Sequence, residues 1–290
     1  MTDTPRPGAW DTDGTSALEE LARLRDEVRH LRVQARNRPL IAQAQGILRE
    51  RYRLADAEAA FALMQSASQR FNVKLRTLAE AVVRLARPDH GAERWFPGRA
   101  RRPAPSLDLL AIDDAARAHR SAVLQATLSQ TLAVTATDMG NVQIGDHATG
   151  GLWLEKHAGL SEEFVSFFQY VGDDGTACAQ AARDMAQVTV RDVGTAPVFT
   201  EEARQAVLDA GSRSVHSVPL VSDGRCIGMV SAHFARPIQE LHAAQLKALD
   251  RTGRQVGRWL DWYDRTVVLD ALEYLHAVAR HPGMTRARRR

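Results

Sequence analysis

Residues 37–83 read NRPLIAQAQGILRERYRLADAEAAFALMQSASQRFNVKLRTLAEAVV, and three short amphipathic helices account for nearly all of it. Pro39 fits the first turn of a helix, where a missing N–H costs nothing. The spacing predicts a helix over about 39–54, with Ile41, Ala44, Leu48 and Tyr52 on one face. Gln45, Arg49 and Arg53, four residues apart, form a polar-to-basic stripe beside that face. Asp56 is a good N-cap for a second helix, with Glu58 in its first turn. Its core face is Ala60, Phe61, Met64, Ala67 and Phe71. Asn72 is the expected N-cap of a third helix, with Leu75, Leu78, Ala79 and Val82 inward.

Upstream, residues 1–14 are rich in Pro, Gly, Thr and Asp and read as a disordered lead-in. Residues 15–37 then carry a heptad pattern. With Leu21 and Val28 at a, Leu24 and Leu31 fall at d. Glu20 and Glu27 occupy g, and Arg25 and Arg32 occupy e, so both cross-strand pairs of a parallel dimer are Glu–Arg. We expect a homodimer through Leu21, Leu24, Val28 and Leu31. A single helix packed on its own domain is the alternative. About three heptads make a marginal coil that other contacts must support.

The chain has 290 residues and a net charge of only +3, but the charge is uneven. Residues 38–87 hold nine Lys or Arg against four Asp or Glu, a net +5. Only Lys74, Lys156 and Lys247 are lysines. A basic segment of this kind suits a polyanion partner. Arginine dominance also follows from GC-rich coding alone.

The 37–83 stretch resembles an ANTAR domain. The residues that carry the resemblance are Ile41, Ala44, Gly46, Ile47 and Leu48, then Glu58, Ala59 and Phe61. Ala67, Ser68, Gln69, Asn72, Lys74, Leu75, Arg76 and Ala79 follow in the same order and spacing. Gln45 stands where the family usually has Lys, and Thr77 where it usually has Asp. The resemblance implies an all-α, RNA-binding transcription antiterminator that dimerises through the preceding coil and holds paired hairpin loops in a leader transcript. Such loops are read by charge, stacking and hydrogen bonds to base edges. The candidate RNA-binding residues are Arg49, Arg53, Ser68, Asn72, Lys74 and Arg76. The plainer alternatives are a solvated Arg76–Glu80 pair, and Ser68 and Asn72 as turn formers. Tyr52 reads as core.

Residues 88–107 are rich in Pro, Gly and Arg and read as a linker. Trp95 and Phe96 either pin it to a domain or, with the arginines, extend an RNA surface. From 108 the pattern changes. A long helix is expected over 108–137, then the hairpin GNVQIGD…LWLEKHA, and a second hairpin turning at Ser222–Gly224. A final long helix covers about 238–263. The order resembles a GAF domain over about 108–263, carried by Gly175–Cys178, Val190–Asp192, Ser217–Leu220, Asp223–Gly224 and Gly228–Ser231. That resemblance implies an α+β domain, a central antiparallel sheet flanked by helices, with a cavity for a small-molecule ligand. Residues 264–282 read as one more amphipathic helix and 283–290 as a basic tail.

No nucleophile elbow, Walker loop, HExxH or kinase signature is present, so we expect no catalytic residues. Asp173 and Asp174 read as a turn. Cys178 and Cys226, the only cysteines, are too few for a disulfide framework or a structural zinc site. His147, His157, His216 and His233 lack a clustered partner, so no metal is expected, and no cofactor is legible. No stretch is long and apolar enough to span a membrane, and MTDTPRPGAW has no signal-like region, which points to the cytoplasm. The expected protein is multi-domain: a coil, a three-helix RNA-binding domain at 38–87 and an α+β sensor. Its expected function is a signal-responsive antiterminator. The alternative is a dimeric scaffold with a degenerate RNA surface. A third possibility is an enzyme, since some GAF folds reduce methionine sulfoxide with cysteines.

Overall fold

Local signals build most of the elements. Helices α1 (38–52), α2 (Ala57–Phe71) and α3 (Leu75–Arg84) form the N-terminal module. The computed structural model describes residues 20, 23, 24, 27, 38–147, 149–172 and 175–281. Asp56 caps α2, its carboxylate accepting from the Ala59 N–H at 2.7 Å. Asn72 does not open α3. It closes α2 in a left-handed conformation (φ 51°), its N–H donating to the Ser68 carbonyl. Asn tolerates that conformation better than most residues. Helix α3 starts two residues later than expected, behind Lys74, with no side-chain cap.

The expected helix over 108–137 begins only at Arg120. Helix α4 runs Arg120–Thr135. The preceding segment lies instead along a later helix. Leu107 and Leu110 are buried, and the Leu109 N–H donates to Gln255 at 3.1 Å. Packing at long range has overridden a helical spacing.

Strands β1 (Met139–Gly145) and β2 (Leu152–Ala158) come next, followed by helix α5 (Glu162–Phe167) and strand β3 (Tyr170–Val171). Helix α6 (Ala177–Asp184), strand β4 (Val188–Val190) and helix α7 (Glu201–Asp209) continue the chain. Strands β5 (Ser214–Ser222) and β6 (Arg225–Phe234) close the sheet. Their two-residue turn, Asp223–Gly224, has positive φ at both positions, as a type I′ hairpin requires. The sheet is antiparallel, in order β3-β2-β1-β6-β5-β4.

Alternation along the strands divides two cores. Val142, Val218, Leu220 and Val230 face α4 and the long helix α8 (Ala243–Tyr263). Met229 and Val215 face α5, α6 and α7 with Phe164, Phe168 and Phe199. Helix α8 presses directly on β5. A Cβ at Gly257 would meet the Val221 carbonyl oxygen and stand 2.5 Å from the Val221 nitrogen.

Helix α8 runs through a π-helical turn, Asp264–Val268, into α9 (Leu269–Arg280). Helix α9 packs across α2 and α3 as a fourth wall of the N-terminal bundle. Tyr274 stacks near Phe71 and hydrogen-bonds Ser66, and His276 Nδ1 lies 2.8 Å from the Tyr52 hydroxyl. The 88–107 segment is pinned here too. Trp95 is buried, and the Trp95 and Phe96 N–H groups both donate to Glu273 at 2.8 Å. One apolar cluster thus runs from α1–α3 through α9 into α8 and the sheet.

Within the expected coil, Leu24 is helical and exposed, and Arg23 pairs with Glu20 at 2.7 Å. Leu21, Val28 and Leu31, the Asp173–Asp174 turn and the basic tail lie outside the described residues.

Candidate nucleic-acid interface

The six candidate RNA-binding residues do not form one patch of equal standing. Arg49 and Arg53 are exposed on α1 and its end, Arg53 with positive φ. Ser68 is a turn residue, its hydroxyl donating to the Val73 carbonyl at 2.7 Å. Asn72 serves as the α2 cap, and its carbonyl accepts from Tyr263. Gln45, at the position usually held by Lys, donates to the Ala57 carbonyl at 2.9 Å.

Lys74 and Arg76 stand at the first turn of α3, where the helix dipole favours negative charge. Carboxylates of the sheet domain already occupy that place. Lys74 pairs with Glu155 on β2, and Arg76 pairs with Asp146 in the β1–β2 loop. The Asp146 side chain is 0% exposed and that of Arg76 is 18%. Asp146 also accepts from Thr149 at 2.6 Å and from the Trp153 indole at 3.0 Å. The Arg76 guanidinium lies 4.4 Å from the centre of the Trp153 ring. Arg120, at the start of α4, shares Glu155 at 3.4 Å.

Glu80, one turn further along α3, interacts electrostatically with Arg76 but is half-buried rather than solvated. It accepts from the His147 backbone N–H at 2.9 Å. Burial, with the nearby Asp146 charge, raises its carboxyl above the usual range. The signal that could have found these pairs was faint. Asp146 follows a strand in the sequence and carries no motif.

Below these contacts the two modules enclose a cleft of about 240 Å³. Its walls include Arg84 from α3, Trp153 from β2, Gln169 beside β3 and Asp264 from the π turn. Burial raises the Asp264 carboxyl, and burial also lowers the His147 imidazole, assisted by the Arg84 charge.

The second space lies on the other face of the sheet, among Phe164, Phe168, Phe199, Cys178 and His233. It measures about 10 Å³, room for one water at most. Cys178 sits 3.3 Å from the Ser231 hydroxyl, and burial pushes its thiol up. Burial also pushes the Cys226 thiol up, to about 11. Cys226 and Ser231 are five residues apart on β6, or about 17 Å along an extended strand, so the two thiols do not meet. Among the described residues, no three His, Cys, Asp or Glu side chains converge on a metal position.

His216 is held by Thr189 and Gln187, each at 2.8 Å. His233 is held by Ser212 at 3.0 Å and Asn141 at 3.1 Å. Burial pushes both down to about 4. The folded chain keeps them neutral while the unfolded chain protonates them near 6.5. Their contribution is complete above pH 6.5 and is lost as pH falls toward 4, by about 3 kcal/mol each. Chemical denaturation at pH 7 and pH 4.5 will show this loss, and His233→Gln will reduce it.

Residues 29–83 match the family described as ANTAR domain. No curated protein matches the chain. Among solved structures, the C-terminal part is similar to the GAF domain of an Acinetobacter phosphoenolpyruvate-protein phosphotransferase. That likeness has 14% identity and a TM-score of 0.41, over 49% of this chain and 82% of the other. A GAF domain/HD domain protein from Geobacter sulfurreducens matches at 17% identity and TM-score 0.40, over 52% and 93%. The free methionine-R-sulfoxide reductase of Neisseria meningitidis, solved with its substrate, matches at 19% and 0.40, over 53% and 94%. Among the described residues, no helix is long and apolar enough to cross a membrane. Residues 29–83 thus match the ANTAR domain family, and they are followed by a C-terminal α+β domain built on a six-stranded antiparallel sheet.

Proposed function

We propose that this chain is a signal-responsive regulator that binds RNA hairpins as a homodimer and acts in transcription antitermination, and that the conformation described is its closed state. One observation supports the reading above all others. Lys74 and Arg76 are neutralised by Glu155 and Asp146 at the helix end that would receive an RNA phosphate. Carboxylate oxygens stand in for phosphate oxygens. RNA and the β1–β2 hairpin therefore compete for the same two cations, and a signal that frees the hairpin exposes them. Arg49 and Arg53 stay exposed throughout and extend the surface along α1. Dimerisation through the upstream coil would set the distance between two such surfaces.

The test is a gel-shift titration with a leader RNA carrying two adjacent small hairpins, beside a single-hairpin control. The double hairpin should bind more tightly. The Lys74→Ala/Arg76→Ala variant should lose that preference. If about five phosphates are neutralised on unpaired loops, affinity will fall roughly 100-fold between ~50 and ~200 mM salt. Binding that ignores salt, or that survives loss of both cations, counts against this surface. Absence of RNA binding by both the wild type and an opened variant would leave the dimeric scaffold as the better description.

A further inference from the structure

The space between the sheet and α5–α7 measures about 10 Å³, and three phenylalanine rings fill it. The room lies instead in the cleft of about 240 Å³ between α3, the β1–β2 hairpin and the π turn. Pockets for drug-sized ligands run to roughly 300–1,000 Å³, so an occupant here is small.

The latch pairs consume Lys74, Arg76, Asp146 and Glu155. Arg84, Asp264 and Gln169, in the same walls, stand outside those pairs. Among the described residues, the exposed Arg84 guanidinium and the Asp264 carboxylate have no hydrogen-bond or contact ion-pair partner, although Arg120, His147 and Arg84 act on Asp264 electrostatically, and the buried Gln169 Oε1 accepts from no donor. A buried acceptor left this way is uncommon in a native fold, so Gln169 Oε1 is open to a donor that the protein does not supply. The missing partner must offer both a negative and a positive group. A bare anion would meet Asp264 and Glu80. A bare divalent cation would face Arg84 and Arg120, and no three metal-ligating side chains converge among the described residues. Ala81, Leu85, Ile144 and Val268 supply an apolar wall for a short side chain.

We propose that this cleft binds a small zwitterion of the α-amino acid class, its carboxylate on Arg84 and its ammonium on Asp264, with Gln169 as a further acceptor. Arg84 belongs to the RNA-binding helix, and Asp264 to the turn that follows the sensor domain. A ligand spanning them ties α3 to the sheet domain. In its effect, the proposal rests on the regulatory reading above. The ligand stabilises the closed state, and linkage then makes RNA binding weaker in its presence by the same factor that RNA weakens the ligand.

Isothermal titration of the full chain with each of the twenty common L-amino acids, without RNA, tests the site by itself. At least one should bind. For that one, the decarboxylated amine and the deaminated acid should each bind at least about tenfold more weakly, a comparison that needs no variant. Asp264→Asn and Arg84→Gln should cause the same loss, with circular dichroism showing each still folded. No heat from any of the twenty, or binding that survives both substitutions, overturns the proposal. The two readings fail separately. RNA binding without amino acid binding removes only the ligand site. Amino acid binding without RNA binding keeps the site and removes the RNA reading.

Discussion

Asp146→Asn combined with Glu155→Gln will raise affinity for a two-hairpin RNA by about 5- to 150-fold, the span that 1–3 kcal/mol of coupling between sites provides. Both changes keep side-chain shape and remove charge. The Asp146 carboxylate is enclosed with Arg76, so this pair is not a screened surface contact worth almost nothing. Breaking it from the acidic side removes the enclosed carboxylate that Arg76 pairs with, and the least costly response is for the hairpin to withdraw. RNA then meets the two cations without two carboxylates to displace. Gel shifts of the double variant against the wild type at one salt concentration read the difference. An unchanged affinity, with wild-type binding intact, would mean that the β1–β2 hairpin does not compete with RNA. The Lys74→Ala/Arg76→Ala protein is the necessary companion, because it also opens the latch yet should bind worse.

The second large effect concerns stability. Gly257→Ala will destabilise the chain by about 3 kcal/mol. The new methyl would meet the carbonyl oxygen of Val221, stand 2.5 Å from its nitrogen and 2.6 Å from its carbonyl carbon. All three are backbone atoms of β5, so no rotamer change relieves the clash and α8 must lift off the sheet. Gly253 is similar, with a Cβ 2.5 Å from the Pro219 carbonyl oxygen. Gly46, within α1, gives the opposite sign. Nothing lies within 4 Å of its added Cβ, and Gly46→Ala should stabilise by roughly 0.5–1 kcal/mol through helix propensity alone. Denaturant midpoints for the three variants separate close packing from a general intolerance of substitution in these helices.

Elements with a strong local signal were legible in the sequence. Asp56 caps α2, and the Asp223–Gly224 turn joins β5 to β6, because cap and turn chemistry act within a few residues. The inward faces of α1, α2 and α3 follow the 3.6-residue period. Asn72 was ambiguous for a physical reason: the residue type that begins helices also tolerates the left-handed conformation that ends them. The helix expected from 108 failed because Leu107 and Leu110 find their burial on distant α8. The site was less legible than the fold. Lys74 and Arg76 could be picked out from helix position and family resemblance. Their partners lie 81 and 70 residues away, and no local pattern points across that distance. The cleft depends on a π turn at Asp264–Val268, where the sequence showed only a boundary between two helices.

Helix α9 leaves the ribosome after α1–α3 and after the whole sheet. The face of α2 that meets Tyr274 therefore stays bare until the sheet domain has been synthesised. Proteins of more than one domain generally fold in the order they emerge. Here the earliest helices must wait for the latest one. A chain stopped before α9 would carry every candidate RNA-contact residue and still lack the wall that closes their bundle. In this molecule, closure of the N-terminal bundle is tied to synthesis of its last described helix.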